Sequence, residues 1–92
     1  DVDRLRAALR PNTRLVSLTT PHNPTGTLLP LADLRRVLSL LEGHGAYLLV
    51  DETYREMAFS SLPPVAATLS PRAISVSSMS KTFGLPGIRM GW

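Results

Sequence analysis

The chain has 92 residues, 43% hydrophobic and 18% charged, with a formal charge of +3 and no cysteine. That composition belongs to a globular domain rather than a disordered segment, and the missing cysteines exclude a disulfide framework or a thiolate metal site. The positive balance comes from scattered arginines, with only 5% aromatic residues on which bases could stack, so no nucleic-acid partner is expected.

No apolar run approaches the length of a membrane span and no charged-then-apolar leader opens the chain. A soluble, cytoplasmic protein without a membrane partner is therefore expected. His22 and His44 have no neighbours at a ligand spacing, so no metal is expected either. The chain begins Asp1-Val2-Asp3 without a starting Met and stops at Gly91-Trp92, directly after a dense motif. We expect an excerpt of a longer protein, with part of any site supplied from outside it.

In chain order, Val2, Leu5, Ala8 and Leu9 recur at helical spacing, and Pro11-Asn12 closes that helix. "TRLVSLTT" (13–20) is a short β-branched, apolar run that ends in the turn-rich "PHNPTG". Leu31, Leu34, Val37, Leu38 and Leu41 lie on one face of a second helix, with Pro30 suited to its first turn and Gly43 to its end. His44, beside that glycine, reads as a solvated cap. "AYLLVDE" (46–52) is apolar at nearly every position, the pattern of a strand buried on both faces of a parallel sheet. Residues 60–72 hold three prolines and one short helix near 64–69, and "AISVSS" (73–78) is the third strand. Strand, helix, strand, connection and strand predict an α/β sheet with right-handed crossovers.

Ligands of such open sheets sit beyond the carboxyl ends of the strands. The first exit carries His22, Asn23, Pro24, Thr25 and Gly26; the second Asp51, Glu52 and Tyr54; the third Ser78, Ser80 and Lys81, with Arg89 eight residues on. Nine of the ten basic residues are arginine and Lys81 is the sole lysine. An amine can lose its proton and attack a carbonyl carbon, which a guanidinium cannot do. Ser78, Ser80 and Arg89 suit a phosphate. Asp51 suits a protonated ring nitrogen, Asn23 and Tyr54 a ring oxygen, and Lys81 an aldehyde. Pyridoxal phosphate, held as a Schiff base, satisfies the whole set. Simpler roles stay open beside these: Asp51 also suits a turn cap, Tyr54 a core position, and His22 a purely loop role.

"TTPHNPTG", "VDETY" and "SSMSKTFGLPGIRMGW" resemble the three signature blocks of class I/II aminotransferases, fold type I enzymes that use pyridoxal phosphate. The resemblance runs from about residue 13 to the end, in the family's order, with 28 positions from Asn23 to Asp51 and 30 from Asp51 to Lys81. It implies that residues 1–92 are part of the large cofactor-binding domain of the aspartate-aminotransferase-like fold, a mainly parallel sheet flanked by helices. The N-terminal part of that domain and a C-terminal small domain would lie outside. It further implies Lys81, Asp51 and Tyr54 as catalytic residues, and Asn23, Ser78, Ser80 and Arg89 as further cofactor contacts. Gly84, Gly87 and Gly91 would give the tight turns near the cofactor. Amino acids and 2-oxo acids would be the substrates, exchanged by ping-pong transamination, and the full-length enzyme would be a homodimer. The same apparatus serves β-lyases, decarboxylases and amino-acid cyclases, and an aminotransferase-like sensor domain of a transcriptional regulator would keep Lys81 and Asp51 without turnover. A generic phosphate-binding α/β domain is a further alternative.

Overall fold

A computed structural model of the chain describes residues 1–59 and 61–92. Helix α1 spans Val2–Ala8, strand β1 Leu15–Thr19, helix α2 Leu31–His44, strand β2 Tyr47–Asp51 and strand β3 Ala73–Val76, with 3₁₀ turns at Arg55–Met57, Ala66–Thr68 and Pro86–Ile88. The expected elements are all present, α1 and the strands with shorter ends and α2 with a longer one. The helix expected near 64–69 is the single 3₁₀ turn Ala66–Thr68, and Ser60, where that connection was taken to begin, lies outside the described residues.

The three strands form one parallel sheet in sequence order, β1-β2-β3. Thr19 stands opposite Asp51, and Asp51 opposite Val76, so all three strands end at the same edge. The ladder continues past the strand ends, with the Thr20 amide donating to the Asp51 carbonyl at 3.0 Å and the Glu52 amide to the Val76 carbonyl at 2.8 Å. Parallel neighbours need a crossover: α2 provides the first, and residues 52–72, without an α-helix among the described residues, the second.

Successive residues of a strand face opposite sides. On one side Leu48 and Val50 of β2 are fully buried with Ala46, Ala66 and Ala73 against Leu34, Val37, Leu38 and Leu41 of α2, and Val2 of α1 joins this core. On the other side Leu15, Tyr47 and Ile74 are exposed. The continuous apolarity of β2 predicts burial on both faces, and among the described residues only one is covered, because the helices pack on a single side.

Helix α1 starts where the Asp1 carboxylate accepts from the amides of Asp3 and Arg4 at 3.0 and 3.2 Å, the usual use of a short acidic side chain at an N-terminus. Helix α2 does not stop at Gly43. It runs on to His44 and ends at Gly45, whose φ of 81° is left-handed, while the Ala46 amide donates to the Leu41 carbonyl at 3.0 Å. A left-handed C-terminal residue is what selects glycine, and Gly43 is an ordinary helical residue. His44 is likewise not a solvated cap. Its ring Nε2 donates to the Arg10 carbonyl at 2.9 Å, pinning the connection between α1 and β1 to the end of α2.

Candidate active site at the carboxyl edge of the sheet

Parallel strands of adjacent register deliver their exit loops side by side, about 5 Å apart per strand. The first loop folds on itself. The His22 amide donates to the Thr27 carbonyl at 2.9 Å, the Gly26 amide to the His22 carbonyl at 2.7 Å, and Gly26 takes a φ of 70°. The hydroxyl of buried Thr20 closes its base by accepting from the Leu29 amide at 2.9 Å. His22 is engaged within this loop, its Nδ1 2.9 Å from the Thr25 hydroxyl. This compact turn presents Asn23 to the second loop, where Asn23 Nδ2 donates to the Tyr54 hydroxyl at 3.4 Å.

The second loop begins with two carboxylates of opposite fate. Asp51 ends β2 half-buried, and its Oδ1 accepts from the Thr53 amide at 3.0 Å, a local turn that holds the side chain at the strand exit. The turn-cap role considered for Asp51 is thus real and engages one of its two oxygens. Glu52 points the other way and is buried, with Oε1 accepting from the Ala66 amide at 2.8 Å. That anchor ties the second crossover to the sheet. Nothing in the sequence marked it, because Glu52 beside Asp51 reads as one more acidic residue of a loop.

The third loop leaves β3 and folds back on its own first residues. Ser77 and Trp92 exchange backbone hydrogen bonds at 2.8 and 3.0 Å, the Met79 amide donates to the Met90 carbonyl at 3.1 Å, and Ser78 pairs with Gly91 in an antiparallel bridge. This short ladder brings Arg89, eight residues beyond Lys81, back alongside the Ser78–Ser80 segment. Gly91 lies so close to the Ser77 carbonyl that a Cβ there would stand 2.8 Å from it. Inside the loop, the Gly84 amide donates to the Lys81 carbonyl at 3.0 Å, and Gly84 has a φ of 66°. Arg89 is itself left-handed, with a φ of 53°, and its Nη1 donates to the Pro86 carbonyl at 3.4 Å. Ser78 Oγ accepts from the Ser80 amide at 3.4 Å. Lys81 is exposed and forms no ion pair among the described residues.

The structure therefore brings Asn23 directly to Tyr54 and places Asp51, Ser78, Ser80, Lys81 and Arg89 on loops of the same edge. A cavity of about 550 Å³ opens beside the Asn23–Tyr54 pair, lined also by Pro21, Pro24, Leu28 and Met57. Its walls do not include Asp51, Ser78, Lys81 or Arg89. Thr82 was overlooked in the sequence, where it is merely the residue after the lysine. Its hydroxyl donates to the Thr53 carbonyl at 3.3 Å and joins the third loop to the second.

A parallel sheet with an amine, an acid, a phenol and a basic hydroxyl-rich loop at its carboxyl edge has these groups where open α/β sheets bind their ligands. The family model described as aminotransferase class I and II matches residues 1–92, and the chain belongs to that family. It is similar to a histidinol-phosphate aminotransferase of Ruegeria pomeroyi, 40% identical over the whole chain and 26% of the relative. It is also similar to a capreomycidine synthase of Streptomyces vinaceus, 37% identical over the whole chain and 24% of the relative. Among solved structures, a PLP-dependent aminotransferase from Streptococcus suis superposes with a TM-score of 0.91 at 39% identity, over all of this chain and 24% of that one. The chain thus spans about a quarter of the length of the relatives it matches.

Proposed function

We propose that the protein uses pyridoxal phosphate to transfer an amino group between an amino acid and a 2-oxo acid, and that residues 1–92 are part of its large cofactor-binding domain. One observation carries this reading: three loops that end parallel neighbours gather an amine, a carboxylate, a phenol–amide pair and an arginine at one edge. The donor set fits the cofactor group by group. Ser78, Ser80 and Arg89, on the loop closed by its own ladder, would hold the phosphate. Asp51 would face the ring nitrogen, and Asn23 with Tyr54 the ring oxygen. Lys81, unpaired by any acid among the described residues, would hold the aldehyde carbon.

Bound pyridoxal phosphate supplies a carbonyl for amine exchange and a protonated ring that draws electrons from the substrate's α-carbon. The residues do the rest. Asp51 would favour the ring's charged form by proximity of an opposite charge. Lys81 would remove and return a proton at the substrate's α-carbon as general base and acid. Amino-group transfer in two half-reactions gives ping-pong kinetics.

The similarity to a synthase favours a second reading, in which the same residues activate the α-carbon and no amino group is passed to an acceptor. A single experiment separates them. Full-length enzyme mixed with one amino acid and no acceptor should yield one equivalent of 2-oxo acid per site, with the cofactor recovered as its amine. Release of ammonia, carbon dioxide or a cyclic product would assign the enzyme to the second reading. We further propose a homodimer, checked by the mass of the full-length protein in solution.

A further inference from the structure

The loop that carries Lys81 is closed almost entirely on itself. Every backbone hydrogen bond made by residues 77–92 among the described residues stays within that segment: Ser77 with Trp92, Met79 with Met90, Leu85 with Met79 and Gly84 with Lys81. One hydrogen bond leaves it. The half-buried Thr82 hydroxyl donates at 3.3 Å to the Thr53 carbonyl, across 29 residues of sequence. Thr53 in turn donates its amide to Asp51 Oδ1 at 3.0 Å. The backbone of one residue thus accepts from the side chain next to the lysine and donates to the carboxylate expected at the ring nitrogen.

We propose that Thr82 is a positioning residue, whose hydroxyl sets Lys81 against Asp51 through the backbone of Thr53; this rests on the cofactor-dependent reading above. A lysine side chain is a flexible four-carbon stem, so its amine is only as well placed as the Cα from which it extends. Consecutive Cα atoms lie about 3.8 Å apart, and a fixed Thr82 therefore restricts where Lys81 begins. Without the hydroxyl, the self-contained loop pivots about the two strands of its own ladder. Misplacement of a reacting group by a fraction of the stem's reach slows chemistry more than it weakens substrate binding. Thr82 touches neither substrate nor cofactor in this account.

The test uses full-length enzyme loaded with pyridoxal phosphate, comparing wild type with Thr82→Val, which keeps the shape and removes the hydroxyl, and Thr82→Ser, which keeps the hydroxyl. We expect Thr82→Val to lower kcat about three- to tenfold with KM within about twofold, and Thr82→Ser to stay near wild type. If the valine protein does not fold, Thr82→Ala against Thr82→Ser reads the same hydroxyl. A valine or alanine variant with wild-type kcat overturns the proposal, as does a serine variant impaired to the same degree or a loss confined to KM. Borohydride reduction of the wild type distinguishes the two levels. A pyridoxyl label on Lys81 with an unaffected Thr82→Val kcat defeats the positioning role alone, whereas no label on Lys81 defeats the cofactor reading and the positioning role with it.

Discussion

Asp51 has one observed role, the turn it closes, and one proposed role at the ring nitrogen, and a single substitution can separate them. Its Oδ1 caps the turn at Thr53, a task that an amide oxygen performs as well as a carboxylate. Its charge is needed only if it faces a cationic ring. Asp51→Asn in the full-length enzyme should therefore leave the melting temperature close to wild type and lower kcat by at least about a hundredfold, the scale of losing one preorganised electrostatic partner. A variant that unfolds while its residual folded fraction stays fully active would show the cap to be the only role. Among single residues, the candidates with unusual chemistry stand out in the sequence: a lone lysine among nine arginines, and an aspartate followed three positions later by a tyrosine. Glu52, Thr20 and Thr82 do not. Their roles rest on hydrogen bonds to Ala66, Leu29 and Thr53, formed with residues between 9 and 29 positions away, and pairings of that kind leave no local pattern.

The order and type of the strands and of the two α-helices follow from local periodicity, and periodicity survives folding. Boundaries were less legible. Gly43 and Gly45 flank His44 symmetrically in the sequence, and only the left-handed φ of Gly45 reveals which one ends α2. The return of the third loop onto residues 77–79 also had no signature beyond its glycines, because an antiparallel bridge between Ser78 and Gly91 depends on backbone approach. That approach gives a prediction. Gly91→Ala would put a Cβ 2.8 Å from the Ser77 carbonyl, and backbone on both sides leaves no flexible atom to yield. We expect a destabilisation of about 1–3 kcal/mol and weaker cofactor retention, since Arg89 sits two residues before the bridge. Equal melting temperature and equal cofactor affinity in wild type and Gly91→Ala would show that the ladder adjusts freely. On the core side, Leu41→Ala removes a fully buried side chain under the sheet and should cost about 2–5 kcal/mol, read as a lower midpoint in denaturant.

At the scale of the molecule, the sheet has one covered face and one bare one. Leu15, Tyr47 and Ile74 stand exposed on the open side, and the sheet's outer strands have unpaired edges, an association hazard when left bare. The continuous apolarity of β2 is the sequence of a strand covered twice, and relatives about four times longer have chain enough to cover it. Residues 1–92 produced alone should accordingly melt without a sharp transition and bind an apolar dye, whereas a cooperative, dye-free transition at high temperature would show that one covered face suffices. The proposed chemistry turns on Lys81. Full-length enzyme should be reduced with borohydride, digested, and its peptides mapped by mass. The pyridoxyl group is expected on the peptide containing Lys81 and nowhere else; a reduced enzyme whose Lys81 peptide has its unmodified mass would contradict the account.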